Sequence, residues 1–146
     1  MSYQIRCVDH TDPRWYGVLL HLQKLALPDD VVYPPINGWW FIAFDEQGNP
    51  VGFAGLVMSY QWNDCAYLCR AGVLAAHRGR GLQKRLIRVR IRKAKQLGLN
   101  WLVSDTYENP PSANSLIALK FKIFTPSNPW GATGTTYWRR KLTDAL

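Results

Sequence analysis

The 146-residue sequence lacks the long apolar run that marks an integral membrane protein. Its purely apolar stretches are short, as in Trp39–Phe44, whereas a spanning helix needs ~20 consecutive apolar residues. No basic segment followed by an apolar one opens the chain, so we expect no secretory signal peptide. Both absences argue against a membrane partner.

Cysteine is also scarce, with only Cys7, Cys65 and Cys69. Cys65 and Cys69 fall in one strand-like apolar segment, where four residues of strand span roughly 13 Å. A disulfide requires Cα atoms within about 7 Å, so these two thiols cannot be joined while the strand is intact. No paired cysteine and histidine spacing suggests zinc. We therefore expect free thiols, a reducing cytoplasmic location and no metal site.

The composition is that of a globular protein. Hydrophobic residues make up 47% and charged residues 19% of the chain, which excludes a disordered tail and a collagen-like repeat. The length suits one ordinary domain, and the sequence contains no internal repeat or low-complexity linker. We therefore predict a single domain over residues 1–146, as a monomer or a homodimer.

Acidic residues are few, ten against 18 lysines and arginines, so the formal net charge is +8. Nine of the 18 basic residues lie between Arg78 and Lys95, and no acid occurs from residue 65 to residue 104. A local field of one sign attracts anions, such as nucleic acid, a membrane surface or a phosphorylated small molecule. The alternative without a function is a solvated basic helix face.

Hydrophobic periodicity predicts a mixed α/β chain with an antiparallel first half and a crossover second half. The predicted strands are Tyr3–Asp9, Trp39–Phe44, Val51–Tyr60, Cys65–Leu74, Trp101–Thr106 and Thr135–Leu142. The predicted helices run from Thr11-Asp12-Pro13 up to Pro28, over Leu82–Leu97, and over Ala113–Leu119 after Pro110-Pro111-Ser112. Residues 29–38 and 125–134 are predicted loops.

The strand-to-helix junction Val73–Leu82 carries the clearest chemical signal. The first amides of a helix lack internal partners and lie at the positive end of its dipole. Glycines in the preceding turn let a ligand approach the backbone, so such a terminus binds phosphate or diphosphate. The segment has no Gly-Lys-Ser/Thr of a Walker loop, and its glycine spacing does not fit a dinucleotide fingerprint. A glycine turn needed only for close packing is the alternative.

This junction resembles motif A of the GNAT superfamily of acetyl-CoA-dependent N-acyltransferases. The motif's turn reads Gln/Arg-x-x-Gly-x-Gly/Ala, and its three defined places are occupied by Arg78, Gly81 and Gln83, the last departing from the expected small residue. A second segment, Asn109–Ile117, resembles the family's later motif, an asparagine followed by a short helix. That helix usually ends in Gly-Phe, whereas this chain has Lys120-Phe121. The element order also matches, so the resemblance covers most of the chain.

The resemblance implies a GNAT-like fold, with an antiparallel N-terminal meander and a β-α-β-α-β C-terminal half around a splayed central sheet. It implies acetyl-CoA as cofactor, with pantetheine amides held by the backbone of Val73 and Leu74 and contacted by Asn109 and Ser112. The resemblance implies that the diphosphate is bound by backbone amides of the turn and the start of the helix, those of Arg78, Gly79, Arg80, Gly81, Leu82 and Gln83. The basic helix face led by Lys84, Arg85 and Arg88 would meet the adenosine 3′-phosphate.

Acetyl transfer requires a base for the amine, a donor for the developing oxyanion and a proton for the leaving thiolate. Many family members use a tyrosine seven residues after the asparagine as the acid, and here that position is Leu116. Tyr107 and Ser115 are the nearby hydroxyls, and we list them with Asp105 as candidate catalytic residues.

Three acids are candidate bases: Asp64, Asp105 and Glu108. Asp105 lies on the strand that leads into the asparagine, and Glu108 directly precedes that asparagine. The alternatives are that Asp105 pairs with a buried arginine such as Arg90 and that Glu108 faces solvent.

Seven tryptophans are many for this length. Those in predicted strands are expected in the core: Trp39, Trp40, Trp101 and Trp138. Aromatic residues in predicted loops are candidates for an acceptor pocket: Tyr33, Trp62 and Trp130.

The sequence thus predicts an N-acetyltransferase that moves acetyl from acetyl-CoA to a primary amine of a small molecule or protein by direct attack. A basic nucleic-acid-binding module is one alternative. A GNAT fold that binds coenzyme A without turnover is another, because the usual tyrosine is missing.

Overall fold

A computed structural model of the protein describes residues 2–143. These residues form one mixed sheet with the strands β1 Gln4–Val8, β2 Trp39–Phe44, β3 Pro50–Met58, β4 Cys65–Val73, β5 Trp101–Thr106, β6 Lys122–Phe124 and β7 Thr136–Lys141. The helices are α1 Pro13–Ala26, α2 Leu82–Gln96 and α3 Pro110–Ala118, with a short 3₁₀ turn at Ala75–His77 before α2. Within this part of the chain, no helix has the length and apolarity needed to cross a bilayer.

The strand order is β1-β2-β3-β4-β5-β7-β6. Every neighbouring pair is antiparallel except β4 and β5, which are parallel. The predicted α/β fold class, with its meander and crossover half, is confirmed. Strand β6 was not predicted. Helix α3 begins at Pro110 rather than at Ala113, because proline suits the first turn of a helix.

Helix α1 covers one face of the sheet. Asp12 caps its first turn by accepting from the Arg14 amide at 2.9 Å, and Pro13 occupies the first helical position. Leu19 and Leu22 are buried against inward side chains of β2 and β3, such as Ile42. Full burial of each such side chain contributes roughly 1.5–3 kcal/mol, so this stripe fixes α1 on the sheet.

Helix α2 covers the opposite face. Leu86 and Ile91 are fully buried there, and Gly98 ends the helical segment with a φ of +77°. Most of its basic side chains point outward, as its hydrophobic period predicts; the exposed ones include Lys84, Arg85, Arg88, Arg92 and Lys95. Arg90 is the exception, at 2% exposure.

The sheet opens between β4 and β5. The two strands pair only where Cys65–Tyr67 meets Trp101–Val103. Beyond that point β4 continues to Val73 and β5 to Thr106 without pairing each other. The unpaired ends leave a gap in the middle of the sheet, and this gap positions the candidate site.

Candidate active site

A cleft of about 740 Å³ occupies the gap between β4 and β5. Residues 68–71 and 104–106 form its strand walls, and α2 adds Gln83 and Ile87. The start of α3 lines it, as does the loop after α1. The cleft therefore extends from the first turn of α2 to the opposite side of the sheet.

The N-terminus of α2 has no side-chain cap. Its N-cap residue is Gly81 with a φ of +80°, and Gly79 has a φ of +76°. A Cβ atom built at either glycine meets no protein atom within 4 Å, so the space beside the backbone is open. The first-turn amides and the helix dipole thus face a space that suits an anion. A diphosphate fits this turn.

The two arginine side chains of the turn donate hydrogen bonds to other groups of the protein. Arg78 donates from Nε to the Val73 carbonyl at 2.9 Å and from Nη2 to the Ala26 carbonyl at 3.1 Å. Arg80 donates from Nη1 to the Tyr3 hydroxyl at 3.1 Å. These bonds tie the turn to β4, to α1 and to Tyr3, which directly precedes β1. An anion bound at this turn would consequently depend on backbone amides more than on these two side chains.

At the end of β4, successive residues direct their backbone groups alternately toward β3 and toward the gap. The Leu74 amide donates to the Val51 carbonyl, and the Leu74 carbonyl accepts from the His77 amide, both at 2.9 Å. Leu74 is therefore already engaged within the protein. Backbone groups alternate in direction along an antiparallel strand, so Val73 and Ala71 face the gap. The Val73 amide is the better placed of the two predicted pantetheine contacts.

Asn109 and Ser112 both line the cleft. Asn109 caps α3, because its Oδ1 accepts from the Ser112 amide at 3.2 Å. The chain turns between β5 and α3 at the exposed Glu108, whose φ is +46°. The cap fixes the start of α3 beside the gap.

Asp105 lies in the cleft with its carboxylate held in place. Its Oδ2 accepts from the Tyr67 hydroxyl at 2.6 Å and from Trp130 Nε1 at 2.7 Å. Burial, together with the charge of Asp105, raises the pKa of Tyr67, so Tyr67 stays protonated as a donor. The Trp130 ring packs edge-on against Tyr137, with ring centroids 4.6 Å apart. Both donors fall on one oxygen, so Oδ1 is the carboxylate atom left for a substrate.

The expected alternative pairing of Asp105 with Arg90 is wrong. Arg90 donates from Nε to the Leu86 carbonyl and from Nη1 to the Gly55 carbonyl, both at 3.0 Å. The pairing of β3 with β4 shifts register between Ala54 and Leu56, which leaves the Gly55 carbonyl to accept from this guanidinium.

The other candidate catalytic residues differ in location. Tyr107 lines the cleft and is 52% exposed. Ser115 is buried, donates to the Pro111 carbonyl at 3.0 Å and is not among the cleft-lining residues. Asp64 lies away from the cleft lining and accepts from Asn100 Nδ2 at 2.7 Å. Of these three residues, only Tyr107 lines the cleft.

The loop aromatics behave partly as the sequence predicts. Tyr33 lines the cleft, whereas Trp130 supports Asp105 and Trp62 packs behind Trp130 at a centroid distance of 5.9 Å. Tyr67 and Arg70 are two cleft residues that were not predicted from the sequence. Their signal is faint: each is a polar or amphipathic side chain within an apolar strand, at the point where β4 and β5 separate.

Cys7, Cys65 and Cys69 are free thiols. Cys69 lines the cleft, and burial raises its thiol pKa. Among residues 2–143, no group of three histidine, cysteine or acidic side chains is arranged to hold a metal ion.

The sequence matches the family model of the acetyltransferase (GNAT) family over residues 6–118. The chain therefore belongs to the GNAT acetyltransferase family, and this membership implies an acyl-CoA N-acyltransferase. No curated protein sequence matches it significantly.

Solved structures share its fold. The ribosomal-protein-S18-alanine N-acetyltransferase from Escherichia coli superposes with a TM-score of 0.75 at 16% identity, covering 99% of this chain and 97% of that one. An N-acetyltransferase from Staphylococcus aureus Mu50 gives 0.73 at 19% identity, covering 97% and 99%. YncA from Salmonella typhimurium, solved with its cofactor acetyl-CoA, gives 0.72 at 16% identity, covering 100% and 97%.

Proposed function

We propose that this protein is an N-acetyltransferase that uses acetyl-CoA and transfers acetyl to the primary amine of a small molecule or protein by direct attack. The observation that carries the proposal is one cleft lined both by Gln83, in the uncapped first turn of α2, and by Asp105, whose carboxylate is held by Tyr67. Membership of the GNAT family supports the same reaction class.

The residues at the α2 end of the cleft would hold the cofactor. Amides over residues 79–83 are the donors for the diphosphate, and the Val73 amide faces the gap where the pantetheine arm would lie. Asn109 and Ser112 lie on the α3 side of that gap. When bound, acetyl-CoA supplies an acetyl thioester, which is the activated acyl group for transfer.

Asp105 is the proposed general base. Its Oδ1 would accept a proton from the acceptor amine, directly or through one water. Tyr67 and Trp130 orient the carboxylate through their bonds to Oδ2. Tyr107, two residues after Asp105 in the sequence, lines the cleft, is 52% exposed, and is the proposed proton donor for the leaving thiolate.

Two measurements test this function. Calorimetric titration with acetyl-CoA should give one saturable site per chain, and a panel of primary amines should include one that drives steady thiol release. Absence of binding at high acetyl-CoA excess would overturn the proposal and favour the nucleic-acid-binding alternative. Binding without turnover on any amine would favour a coenzyme A-binding protein without catalysis.

A further inference from the structure

We propose that Arg70 binds a carboxylate of the acceptor, so that the acceptor is an amino acid or a similar small molecule with both an amine and a carboxylate. This inference rests on the proposed function and narrows its substrate class. It follows from a guanidinium that lines the cleft and whose buried Nη1 atom has no hydrogen-bond partner among the residues that the structure describes.

Arg70 is placed to meet the acceptor rather than the cofactor diphosphate. It lies on β4, three residues beyond Tyr67, the last residue paired with β5. It lines the cleft together with Asp105 and Tyr33. The amides that suit a diphosphate are at the start of α2, beyond the end of β4. An anion beside Arg70 would therefore belong to the second substrate.

The guanidinium of Arg70 has an unmet hydrogen-bond requirement. Its Nη1 is buried and has no hydrogen-bond partner among the residues that the structure describes. A buried donor without an acceptor is unfavourable, and donors of this kind are rare in folded proteins. A carboxylate in the cleft would supply the acceptor, and an arginine fork can hold it through two parallel bonds.

The present neighbours of Arg70 orient it without saturating it. Asp30 lies 3.8 Å from Nη1, and the Asp30 side chain is 55% exposed. Such a long and solvated ion pair is weak, so a ligand carboxylate can replace it. The Tyr33 ring lies 4.5 Å from the guanidinium carbon, which restricts the plane of the fork.

A second guanidinium strengthens the positive field of the cleft. Arg90 lines the cleft and is 2% exposed. Desolvation lowers its pKa to about 10, so it remains charged at neutral pH. Within residues 2–143 no carboxylate lies within ion-pair distance of it, and its bonds go to carbonyl groups. The charge is thus available to attract an anion into the cleft.

The same cleft also contains a carboxylate, that of Asp105, which can bind an amine. Asp105 keeps Oδ1 free of the two bonds that orient its other oxygen. A molecule that carries an ammonium group and a carboxylate would therefore meet a group of opposite charge for each. A simple monoamine would leave Arg70 without an acceptor, and specificity follows from that difference.

The test compares the standard L-amino acids with the corresponding amino acid amides. Binding is measured by thermal shift, with and without coenzyme A, and turnover by thiol release from acetyl-CoA. We expect at least one acid to bind at least about tenfold more tightly than its amide. Arg70→Gln should remove this preference, and Arg70→Lys should retain part of it. Arg92→Gln makes the same charge change on the exposed face of α2 and should leave the preference intact.

Asp30→Asn tests the site without removing the arginine. It deletes the carboxylate that competes for Nη1 of Arg70. Amino acids with a free carboxylate should therefore bind several-fold more tightly to this variant than to the wild type. Loss of a merely structural ion pair would not improve binding. This variant also answers the question if Arg70→Gln does not fold.

Three results would overturn the Arg70 assignment: amides that bind as well as acids, a preference that survives Arg70→Gln, or no acid that binds at all. The assignment is separable from the proposed function. Carboxylate binding that depends on Arg70, without acetyl-CoA binding or thiol release, would retain the anion site and reject the acetyltransferase.

Discussion

The two ends of the cleft are built in different ways. The end at α2 consists of consecutive residues, 78–83, and presents backbone amides. The acceptor end consists of side chains that are distant in sequence, since Asp105 is 38 residues from Tyr67 and 25 from Trp130. This chain therefore encodes its proposed diphosphate site locally, whereas the acceptor site depends on how α1, β4, β5 and the loop before β7 pack.

The largest expected effect on ligand binding is at the α2 end. Gly81→Asp should weaken acetyl-CoA binding by at least about 100-fold, because the new carboxylate can accept from the first-turn amides and would repel a diphosphate. Calorimetry measures the loss. Gly98→Asp is the matched control, since Gly98 also has a positive φ, +77°, and open space around it. Equal affinities of Gly81→Asp and Gly98→Asp would reject the α2 site.

The next effect is at the acceptor end. Asp105→Asn keeps an oxygen that can accept from Tyr67 and Trp130 but removes the proton acceptor, so kcat should fall by roughly 10²–10⁴. Acetyl-CoA affinity should change little, because the two ends use different groups. Glu108→Gln, at an exposed position outside the cleft lining, should retain kcat within about threefold. A kcat of Asp105→Asn near the wild-type value would exclude Asp105 as the base.

A smaller effect concerns the loop over the acceptor end. The fully buried Gln23 donates from Nε2 to the Tyr33 carbonyl at 2.7 Å and accepts from the Tyr33 amide at 3.1 Å. Gln23→Leu should lower the free energy of unfolding by roughly 1–3 kcal/mol, measured by urea denaturation. The acceptor KM should rise several-fold because Tyr33 packs on Arg70.

Gln96→Leu, at an exposed position near the end of α2, is the control for the Gln23 variant. It should leave both unfolding free energy and acceptor KM close to the wild-type values. If Gln23→Leu changes acetyl-CoA affinity as strongly as acceptor KM, the two ends are not independent.

The prediction with the least effect on activity concerns thiol reactivity. Burial raises the pKa of Cys69, and it raises that of Cys65 to about 11. Since only the thiolate reacts, both should be alkylated slowly at pH 8 and faster, by up to about tenfold per pH unit, as pH rises toward their pKa values. Acetyl-CoA should protect Cys69, which lines the cleft, and leave the exposed Cys7 unprotected. Mass spectrometry of alkylated peptides measures this difference.

Much of the fold follows from the sequence because hydrophobic periodicity and turn residues are local signals. The predicted strand Trp39–Phe44 has the same bounds in the structure. Strand β6 escapes prediction because it has three residues, and Lys122 and Ile123 are exposed; it is defined by pairing with β7 rather than by its own pattern.

The candidate site is predictable only in part. The glycine turn before α2 could be found because its residues are adjacent. The partners of Arg78 and Arg90 could not be found from the sequence, because both side chains donate to backbone carbonyls that regular secondary structure leaves unpaired. For Arg78 this carbonyl is at the end of α1, and for Arg90 it is at the register shift in β3. The sequence alone does not indicate that the hydrogen-bond donors of a charged side chain will be satisfied by a carbonyl that is distant along the chain.

The central claim is that backbone amides at the start of α2 bind the diphosphate of acetyl-CoA. It is tested most directly in one calorimetric series on the wild-type protein that compares acetyl-CoA with S-acetylpantetheine, which has the same thioester arm but lacks both the diphosphate and the 3′-phosphoadenosine. The 3′-dephospho form of acetyl-CoA, which keeps the diphosphate, is the control for the contribution of the 3′-phosphate. We expect saturable binding of acetyl-CoA and an affinity at least about 100-fold weaker for S-acetylpantetheine. Equal affinities, or no acetyl-CoA binding, would contradict it.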